Sequence, residues 1–247
     1  MNRTLHLIMP MGGAGTRFFN DGFVMPKPLI KINEKPFFYW ATKSVSRFVE
    51  VADITFVVLK QHVEEFKINE VILSYFPDSR IEVVDWEEVK DGPVMTCIAG
   101  LRNINDDLPV LFNDCDHMFS CSAFVEDVVS GDLNCEGALL TFESDMPQFS
   151  YIEYEDGKIV GTVEKKVVSN NAICGAYLVS SASLFKELAE EYLTNCNYSE
   201  FFVSGIYNVM CKRGLIVKNY NVDFHIPFGT PTEYEEAQKS EYFTIIE

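Results

Sequence analysis

The chain has 247 residues, of which 47% are hydrophobic and 13% aromatic, enough for one large domain with a sizeable core or for two small ones. Its 37 acidic and 20 basic residues give a net charge of −17. Because general nucleic-acid binders and peripheral membrane proteins need a basic face, this balance argues against both classes. A polyanionic substrate would have to be met by a few concentrated cations and a divalent metal.

Predicted strands and helices alternate through the first half of the chain. Buried strands are predicted from apolar runs, and helices from apolar spacings of three and four. The strands are predicted at 4–10, 54–59, 80–85 and 108–113, and the helices at 36–49, 63–76 and 93–103. Such alternation is typical of a mostly parallel sheet with helices on both faces.

The second half is richer in predicted strands. These fall at 137–144, 151–166 (with a hairpin turn at Asp156-Gly157), 172–180 and 216–223, and helices are predicted at 182–193, 199–212 and 231–239. No linker or internal repeat divides the chain. We therefore predict one α/β domain over residues 1–247, a Rossmann-like mixed, mostly parallel sheet flanked by helices, with a smaller β-rich substrate lobe.

Neither a secretory leader nor a membrane span is predicted. The apolar run near the N-terminus is short and breaks at glycine, where a strand would end. The seven cysteines are scattered and form no CxxC pair, so neither a disulfide framework nor a zinc ribbon is predicted. We expect reduced cysteines and a cytoplasmic location.

A glycine-rich bend follows the first predicted strand. Gly12, Gly13 and Gly15 allow close approach of the backbone, whose N–H groups can cradle oxyanions. The bend is not a Walker loop, because the terminal Gly-Lys pair is missing. It is a poor dinucleotide fingerprint, because Phe18 occupies the third glycine position.

Two cations follow the bend. The Arg17 guanidinium suits bidentate contact with phosphate oxygens. Lys27 lies between Pro26 and Pro28, which restrict its backbone and orient its ammonium group. The bend and these cations together predict a site for a phosphate-bearing ligand.

These motifs resemble a known signature. "PMGGAGTRF" (10–18) followed by "MPKPLIKINEKPFFYW" (25–40) is similar to the pattern of the sugar-phosphate nucleotidyltransferases, also called nucleotide-sugar pyrophosphorylases, and above all to their small bacterial members. The resemblance covers nearly the whole chain in order. It implies the nucleotide-diphospho-sugar transferase fold, with a nucleotide-binding half at 1–120 and an acceptor-binding half at 121–247.

The resemblance also implies a reaction. A phosphate monoester, most simply a sugar 1-phosphate for surface polysaccharide synthesis, attacks the α-phosphorus of a nucleoside triphosphate and releases pyrophosphate. Since the attacking group is already anionic, catalysis needs positioning and charge neutralisation rather than a general base. Arg17 would neutralise the leaving pyrophosphate and Lys27 would steady the transferred phosphate. The base of the nucleotide and the acceptor both stay open. The implied nucleotide contacts are Met11, Gly12, Gly13, Gly15, Thr16 and Gly92.

Two aspartates follow the predicted strand 108–113. Because open α/β sheets bind ligands at the carboxyl ends of their strands, Asp114 and Asp116 are candidate ligands for Mg²⁺, with Mn²⁺ as the alternative ion. The resemblance favours Asp116, with Asp114 as second choice, and a turn or helix-capping role is the alternative. The family's second metal aspartate precedes a Gly-Thr pair, where this chain has Pro227-Phe228. Asp223 is a displaced third candidate.

Acceptor contacts are implied by two further stretches. "TVEKK" (162–166) resembles the family's Glu-Lys-Pro stretch, so Lys165 would contact the acceptor phosphate, and Glu164 or Gly175 its polar body. "YSEFFVSGIYN" (198–208) adds Glu200. An exposed charged strand end is the alternative for the first stretch. A favourable position in the first turn of a helix is the alternative for Glu200.

Two other functions stay open. Asp114-Cys115-Asp116 is a D-x-D motif, which metal-dependent glycosyltransferases use to hold a nucleotide-sugar diphosphate through Mn²⁺. A non-catalytic nucleotide-binding regulatory protein is the other alternative. The expected partners are a nucleoside triphosphate and a phosphate monoester, with no nucleic acid and no membrane, and a homo-oligomer is left open.

Overall fold

The computed structural model describes residues 4–245, so residues 1–3 and 246–247 of the predicted domain lie outside the described residues. The strands are β1 Thr4–Met11, β2 Lys31–Ile32, β3 Lys35–Pro36, β4 Glu50–Leu59, β5 Arg80–Val84, β6 Val110–Asn113, β7 His117–Ser120, β8 Gly137–Glu143, β9 Ser150–Glu155, β10 Lys158–Glu164, β11 Asn171–Val179, β12 Val217–Asn221 and β13 Phe224–Pro227. The helices are α1 Thr16–Asn20, α2 Phe37–Ser46, α3 Lys60–Phe66, α4 Ile68–Tyr75, α5 Trp86–Val89, α6 Pro93–Gly100, α7 Ser122–Ser130, α8 Ala182–Asn195, α9 Ser204–Lys212, α10 Pro231–Ala237 and α11 Tyr242–Ile245.

A nine-stranded mixed sheet forms the centre of the molecule. Its strands follow the order β10-β9-β11-β6-β1-β4-β5, and β8 pairs with both β11 and β12. The pairs of β1 with β4 and β6, of β4 with β5, and of β8 with β12 are parallel, whereas β11 runs antiparallel to its neighbours. Helices flank this sheet, which confirms the predicted fold class.

Parallel pairing brings the carboxyl ends of β1 and β6 together. In β1 and β6, Leu7 pairs with Leu111 and Ile8 with Phe112, so the residues after both strands emerge at one edge of the sheet. Alternation along β1 places Leu7 in the core of one face and Ile8 in that of the other. The glycine bend and the two aspartates therefore reach the same edge.

Two predicted helices differ from the structure. The helix predicted at 63–76 is two helices, α3 and α4, because Lys67 between them has a left-handed backbone with φ 54°. The helix predicted at 199–212 begins only at Ser204. Before α9, the backbone of Phe201 is hydrogen-bonded to the segment at the start of α6. Its N–H donates to the Asp91 carbonyl at 2.9 Å, and its carbonyl accepts from the Val94 N–H at 3.0 Å.

One hydrophobic cluster brings together side chains from near the beginning and near the end of the described chain. It contains Phe18 of α1, Phe37 and Trp40 of α2, and Phe228 and Phe243 near the end of the described residues. The cluster fixes α1 and the loop before α10 against α2. Within residues 4–245, the helices are all too short or too polar to cross a lipid bilayer.

Candidate active site

Three adjoining cavities open at this edge of the sheet. The glycine cavity, of about 510 Å³, is lined by the loop 12–15. The histidine cavity, of about 170 Å³, is lined by His117 and His225, and the Glu164 cavity, of about 380 Å³, is lined by Glu164. Asp114 lines all three, so its carboxylate lies where they meet.

The predicted site residues divide among these cavities. The glycine cavity is lined by the predicted nucleotide contacts Met11, Gly12, Gly13, Gly15, Thr16 and Gly92. Arg17 lines the histidine and Glu164 cavities, and Gly175 lines the histidine cavity. Glu164, Lys165 and Glu200 line the Glu164 cavity, and Glu200 also reaches the glycine cavity. The structure thus brings together every predicted site residue except Asp223.

Lys27 and Asp116 form an ion pair at the centre of the site. The Lys27 ammonium donates to Asp116 Oδ2 at 2.7 Å, and both side chains are about three-quarters buried. Burial alone would lower the pKa of Lys27, but the charge of Asp116 and their hydrogen bond outweigh it and raise the pKa. Burial alone would raise the pKa of Asp116, but Lys27 lowers it. Both groups therefore stay charged at neutral pH.

Gly15 lies beside the Lys27 segment. Residues Lys27–Leu29 form a 3₁₀ turn, and the Leu29 N–H donates to the Pro26 carbonyl at 2.8 Å. Gly15 has a left-handed φ of 63°, and a Cβ on it would lie 3.4 Å from the Lys27 Cβ. The positive φ therefore favours glycine at this bend, and the bend lies in van der Waals contact with the lysine segment.

Arg17 extends from α1, which is anchored by one aromatic ring. Phe18 is 1% exposed, and its ring contacts Phe23, Phe37 and Tyr234 edge-on at centroid distances of 5.1, 5.8 and 6.3 Å. Arg17 itself is exposed, and within residues 4–245 no carboxylate forms an ion pair with it. Its guanidinium is therefore available to an anion in the cavities.

Replacing Phe18 by leucine is expected to lower the free energy of unfolding by about 1–2 kcal/mol, because the edge-on ring contacts are lost. Phe19→Leu is the matched control, since Phe19 is 74% exposed. Urea unfolding of the two variants measures the difference. Equal stability of Phe18→Leu and Phe19→Leu would contradict the anchoring role.

Each cavity aspartate faces a glycine. A Cβ on Gly175 would lie 2.8 Å from Asp114 Oδ2, and a Cβ on Gly229 would lie 2.5 Å from Asp116 Oδ2. Gly175 also has a φ of 100°, which L side chains rarely adopt. Burial, and then the neighbouring charge of Asp116, raise the pKa of Asp114. Lys27 lowers the pKa of Asp114 but does not offset these two effects.

The donor set fits a hydrated divalent cation. Carboxylate oxygens are the ligands that Mg²⁺ prefers, and Mg²⁺ usually retains several of its waters. Among the described residues, no three His, Cys, Asp or Glu side chains are close enough together to enclose an ion directly. Asp114 and Asp116, each beside a glycine, therefore suit an ion held through few protein ligands.

The fold itself requires glycine at position 92. Its φ is 138°, and a Cβ would lie 2.4 Å from the backbone nitrogen of Phe201. Although Gly92 lines the glycine cavity, the backbone of Phe201 occupies the place of its missing side chain. The requirement for glycine at this position therefore comes from the fold of the chain itself.

Polar contacts fix the side chains in the wall of the Glu164 cavity. The Ser150 hydroxyl donates to Glu164 Oε1 at 2.5 Å, and the Ser204 hydroxyl donates to the same oxygen. Lys165 has a left-handed φ of 54°, and its ammonium lies 4.9 Å from the centroid of the Phe202 ring. Glu200 lies before α9 rather than in its first turn, so the helix-dipole explanation for this residue does not apply.

Asp223 lies away from this centre. Its carboxylate accepts from the Ser122 N–H at 2.9 Å, the Ser122 hydroxyl at 2.8 Å and the Ser120 hydroxyl at 3.0 Å. These contacts hold the start of α7, and they lower the pKa of Asp223 against the effect of burial. The structure therefore gives Asp223 a capping position instead of a place beside Asp116.

Further residues line the cavities beside the candidate site residues. His117 and His225 line the histidine cavity, together with Glu233 of α10, and Trp86 of α5 lines the glycine cavity. Burial lowers the pKa of His117 to about 4 and that of His225 to about 3, so both imidazoles are neutral. The pairing of β7 with β13 places the two histidines together, which no local sequence signal indicates.

The fold and the site together define a nucleotidyltransferase. The chain belongs to the MobA-like NTP transferase domain family, whose model matches residues 8–196. Among curated proteins, none matches the chain.

Solved structures share the fold at low sequence identity. A nucleoside-diphosphate-sugar pyrophosphorylase from Vibrio cholerae RC9 has a TM-score of 0.79 at 17% identity, covering 95% of this chain and 100% of its own. A UDP-glucose pyrophosphorylase complexed with UDP-glucose has a TM-score of 0.74 at 18% identity, covering 99% and 100%. The inositol-1-phosphate CTP transferase from T. maritima has a TM-score of 0.74 at 15% identity, covering 96% and 95%.

Proposed function

We propose that this chain is a Mg²⁺-dependent nucleotidyltransferase that joins a nucleoside triphosphate to a phosphate monoester, most simply a sugar 1-phosphate, and releases pyrophosphate. One observation carries the proposal. The glycine loop, Arg17 and the Lys27–Asp116 pair converge on adjoining cavities that meet at Asp114. The glycine cavity then takes the nucleotide, and the Glu164 cavity takes the acceptor.

The glycine cavity suits the nucleotide. Its loop presents backbone N–H groups around Gly12, Gly13 and Gly15, which can cradle phosphate oxygens. A Cβ on Gly12 would lie 2.7 Å from Thr96 Oγ1, so α6 supports the loop from beneath. The nucleotide's α-phosphate then lies toward Lys27 and Asp116, where the three cavities join.

Lys27 can serve two partners at once. An ammonium group has three N–H donors, and one of them is occupied by Asp116. The others can bind oxygens of the phosphate being transferred, while Arg17 forms a bidentate contact with the leaving pyrophosphate. Because the attacking phosphate is already anionic, the reaction requires these positioned charges and no general base.

Asp114 and Asp116 would hold Mg²⁺, or Mn²⁺ in its place. When bound, the ion supplies charge neutralisation and orientation at the phosphate oxygens. Lys165 and Glu164 lie at the acceptor side, where an ammonium suits a phosphate and a carboxylate suits hydroxyl groups.

The proposed setting is the cytoplasm, and the proposed product is an activated precursor for surface polysaccharide. The seven cysteines lie within residues 4–245 and form no disulfide there, which supports a reducing compartment. We treat residues 1–247 as one nucleotidyltransferase domain.

Pyrophosphate release tests the proposal. Four nucleoside triphosphates are incubated with a panel of sugar 1-phosphates and phospho-alcohols, with Mg²⁺ and after chelation. Release with one nucleotide and one acceptor class, lost on chelation, is the expected result. Silence across the panel, combined with tight binding of a nucleotide sugar by calorimetry, would instead favour the glycosyltransferase or regulatory alternatives.

Nucleotide binding is expected to quench tryptophan fluorescence. The chain has two tryptophans: Trp40 is fully buried, whereas Trp86 is 45% exposed in the wall of the glycine cavity. Stacking of a base on an aromatic ring contributes about 1–3 kcal/mol, so Trp86→Ala is expected to weaken nucleotide binding about tenfold. Trp86→Phe should keep the binding and lose the quench. A quench that persists in Trp86→Phe would contradict the contact.

A further inference from the structure

The loop before α10 lies directly against Asp116, although it lacks the expected acid. The Phe228 N–H donates to the Asp116 carbonyl at 2.8 Å, and the missing side chain of Gly229 makes room for Asp116 Oδ2. Pro227, in the place of the acid, lines the same cavity but has no charge. The loop therefore reaches Asp116 without bringing a carboxylate to it.

Glu233 brings a carboxylate to this place from one helical turn further on. A Cβ on Gly229 would lie 3.6 Å from Glu233 Oε2 and 2.5 Å from Asp116 Oδ2, so the two carboxylates flank the same glycine. Glu233 also lines the histidine cavity.

The helix cap leaves this carboxylate unused. The Glu233 N–H donates to Thr230 Oγ1 at 3.2 Å, which fixes its position at the start of α10. The sequence Thr-Pro-Thr-Glu would allow the glutamate to bond back to the cap, as Glu88 does at the cap of α5. No such bond forms at α10, and among the described residues no cation pairs with Glu233.

Two imidazoles in the wall of the histidine cavity have ring nitrogens without a hydrogen bond. His117 is 2% exposed, and its Nδ1 has no partner among the described residues. Both ring nitrogens of His225 are likewise buried without a partner there. Buried polar atoms without a hydrogen bond are costly, so an occupant that can donate and accept hydrogen bonds is favoured. Waters, including those bound to a hydrated cation, are occupants of this kind.

Charge points to the same occupant. The histidine cavity is lined by the carboxylates of Asp114, Asp116 and Glu233 and by the guanidinium of Arg17, while Lys27 pairs with Asp116 from outside it. Three carboxylates thus face two cations. Since these carboxylates are too far apart to enclose a bare ion, contact through water suits them, and Mg²⁺ retains its waters readily.

We propose that Glu233 replaces the missing acid and binds the water shell of the metal beside Asp116. The proposal rests on the metal site of the proposed function, and it extends that site to α10. Glu233 acts as a positioning residue: it holds the ion through water rather than contacting the substrates.

Mn²⁺ binding to the free protein tests this role without turnover. Binding is measured by the electron paramagnetic resonance of free Mn²⁺ for wild type, Glu233→Gln and Glu235→Gln. Glu235 is on the same helix but exposed and outside the cavities, so Glu235→Gln should bind as wild type. Loss of a group that supports a metal ligand typically weakens affinity about 10–100-fold, and Glu233→Gln is expected to do so. Glu233→Asp, which keeps the charge, should lie between them.

The outcomes separate this proposal from the proposed function. Unchanged Mn²⁺ affinity in folded Glu233→Gln would overturn the role of Glu233 even if wild type releases pyrophosphate. If Glu233→Gln does not fold, unchanged affinity in Glu233→Asp would overturn it, because the shorter side chain withdraws the carboxylate from Asp116. Weakened Mn²⁺ binding in the variant, without pyrophosphate release by wild type, would overturn the proposed function alone.

Discussion

Replacing Lys27 by methionine is expected to lower kcat/KM about a thousandfold while the protein stays folded, since a preorganised electrostatic donor at a reacting phosphate is worth about 10²–10³. Methionine fills a similar volume, so the effect reports the charge. The variant also removes the positive group 2.7 Å from Asp116 Oδ2, which leaves Asp114 and Asp116 to repel each other. Steady-state pyrophosphate release measures the effect.

Lys31→Met is the matched control for this variant. Lys31 lies four positions further on, is exposed and lines none of the three cavities. It should keep wild-type turnover and stability. A Lys27→Met protein with kcat/KM within threefold of the Lys31→Met value would remove Lys27 from the reaction.

Replacing Asp116 by asparagine is expected to lower turnover at least about a hundredfold and to make the residual rate insensitive to added Mg²⁺. Asparagine preserves the shape beside Gly229 but removes the charge that pairs with Lys27. Turnover is measured across a Mg²⁺ titration, and circular dichroism confirms that the fold is kept.

Asp107→Asn serves as the control for Asp116→Asn. Asp107 is an exposed aspartate before β6 and lines none of the site cavities, so its variant should follow the wild-type Mg²⁺ curve. Wild-type turnover in Asp116→Asn would exclude Asp116 as a metal ligand, and the search would then move to Asp114.

The sheet and the phosphate loop could be predicted from sequence because their signals are local. β1 and β6 are continuous apolar runs, and each is followed at once by its functional residues, the glycine bend and the aspartates. Parallel pairing of such strands then dictates that both groups share one edge. Lys27 is similarly marked by its two flanking prolines.

The remaining features depend on contacts between distant segments. β7 and β13 have four residues each, and they pair across about a hundred positions of the chain. Four residues are too few for the alternation of apolar and polar side chains to predict a strand. α1 has five residues and is held by Phe18, whose partners come from three other segments. The approach of Phe201 to Gly92, which delays the start of α9, is likewise invisible until the chain is folded.

The cluster that anchors Phe18 has a consequence for the order of folding during synthesis. Its members come from both ends of the described chain, and one contact nearby, between the Tyr234 hydroxyl and the Lys31 carbonyl, spans 203 positions. Contacts so distant form late, because closing the intervening chain costs entropy. During synthesis, Arg17 therefore leaves the ribosome early, whereas the C-terminal residues of the cluster that positions it leave last. A nascent chain interrupted before Tyr234 contains the complete phosphate motif but not the packing that aims it.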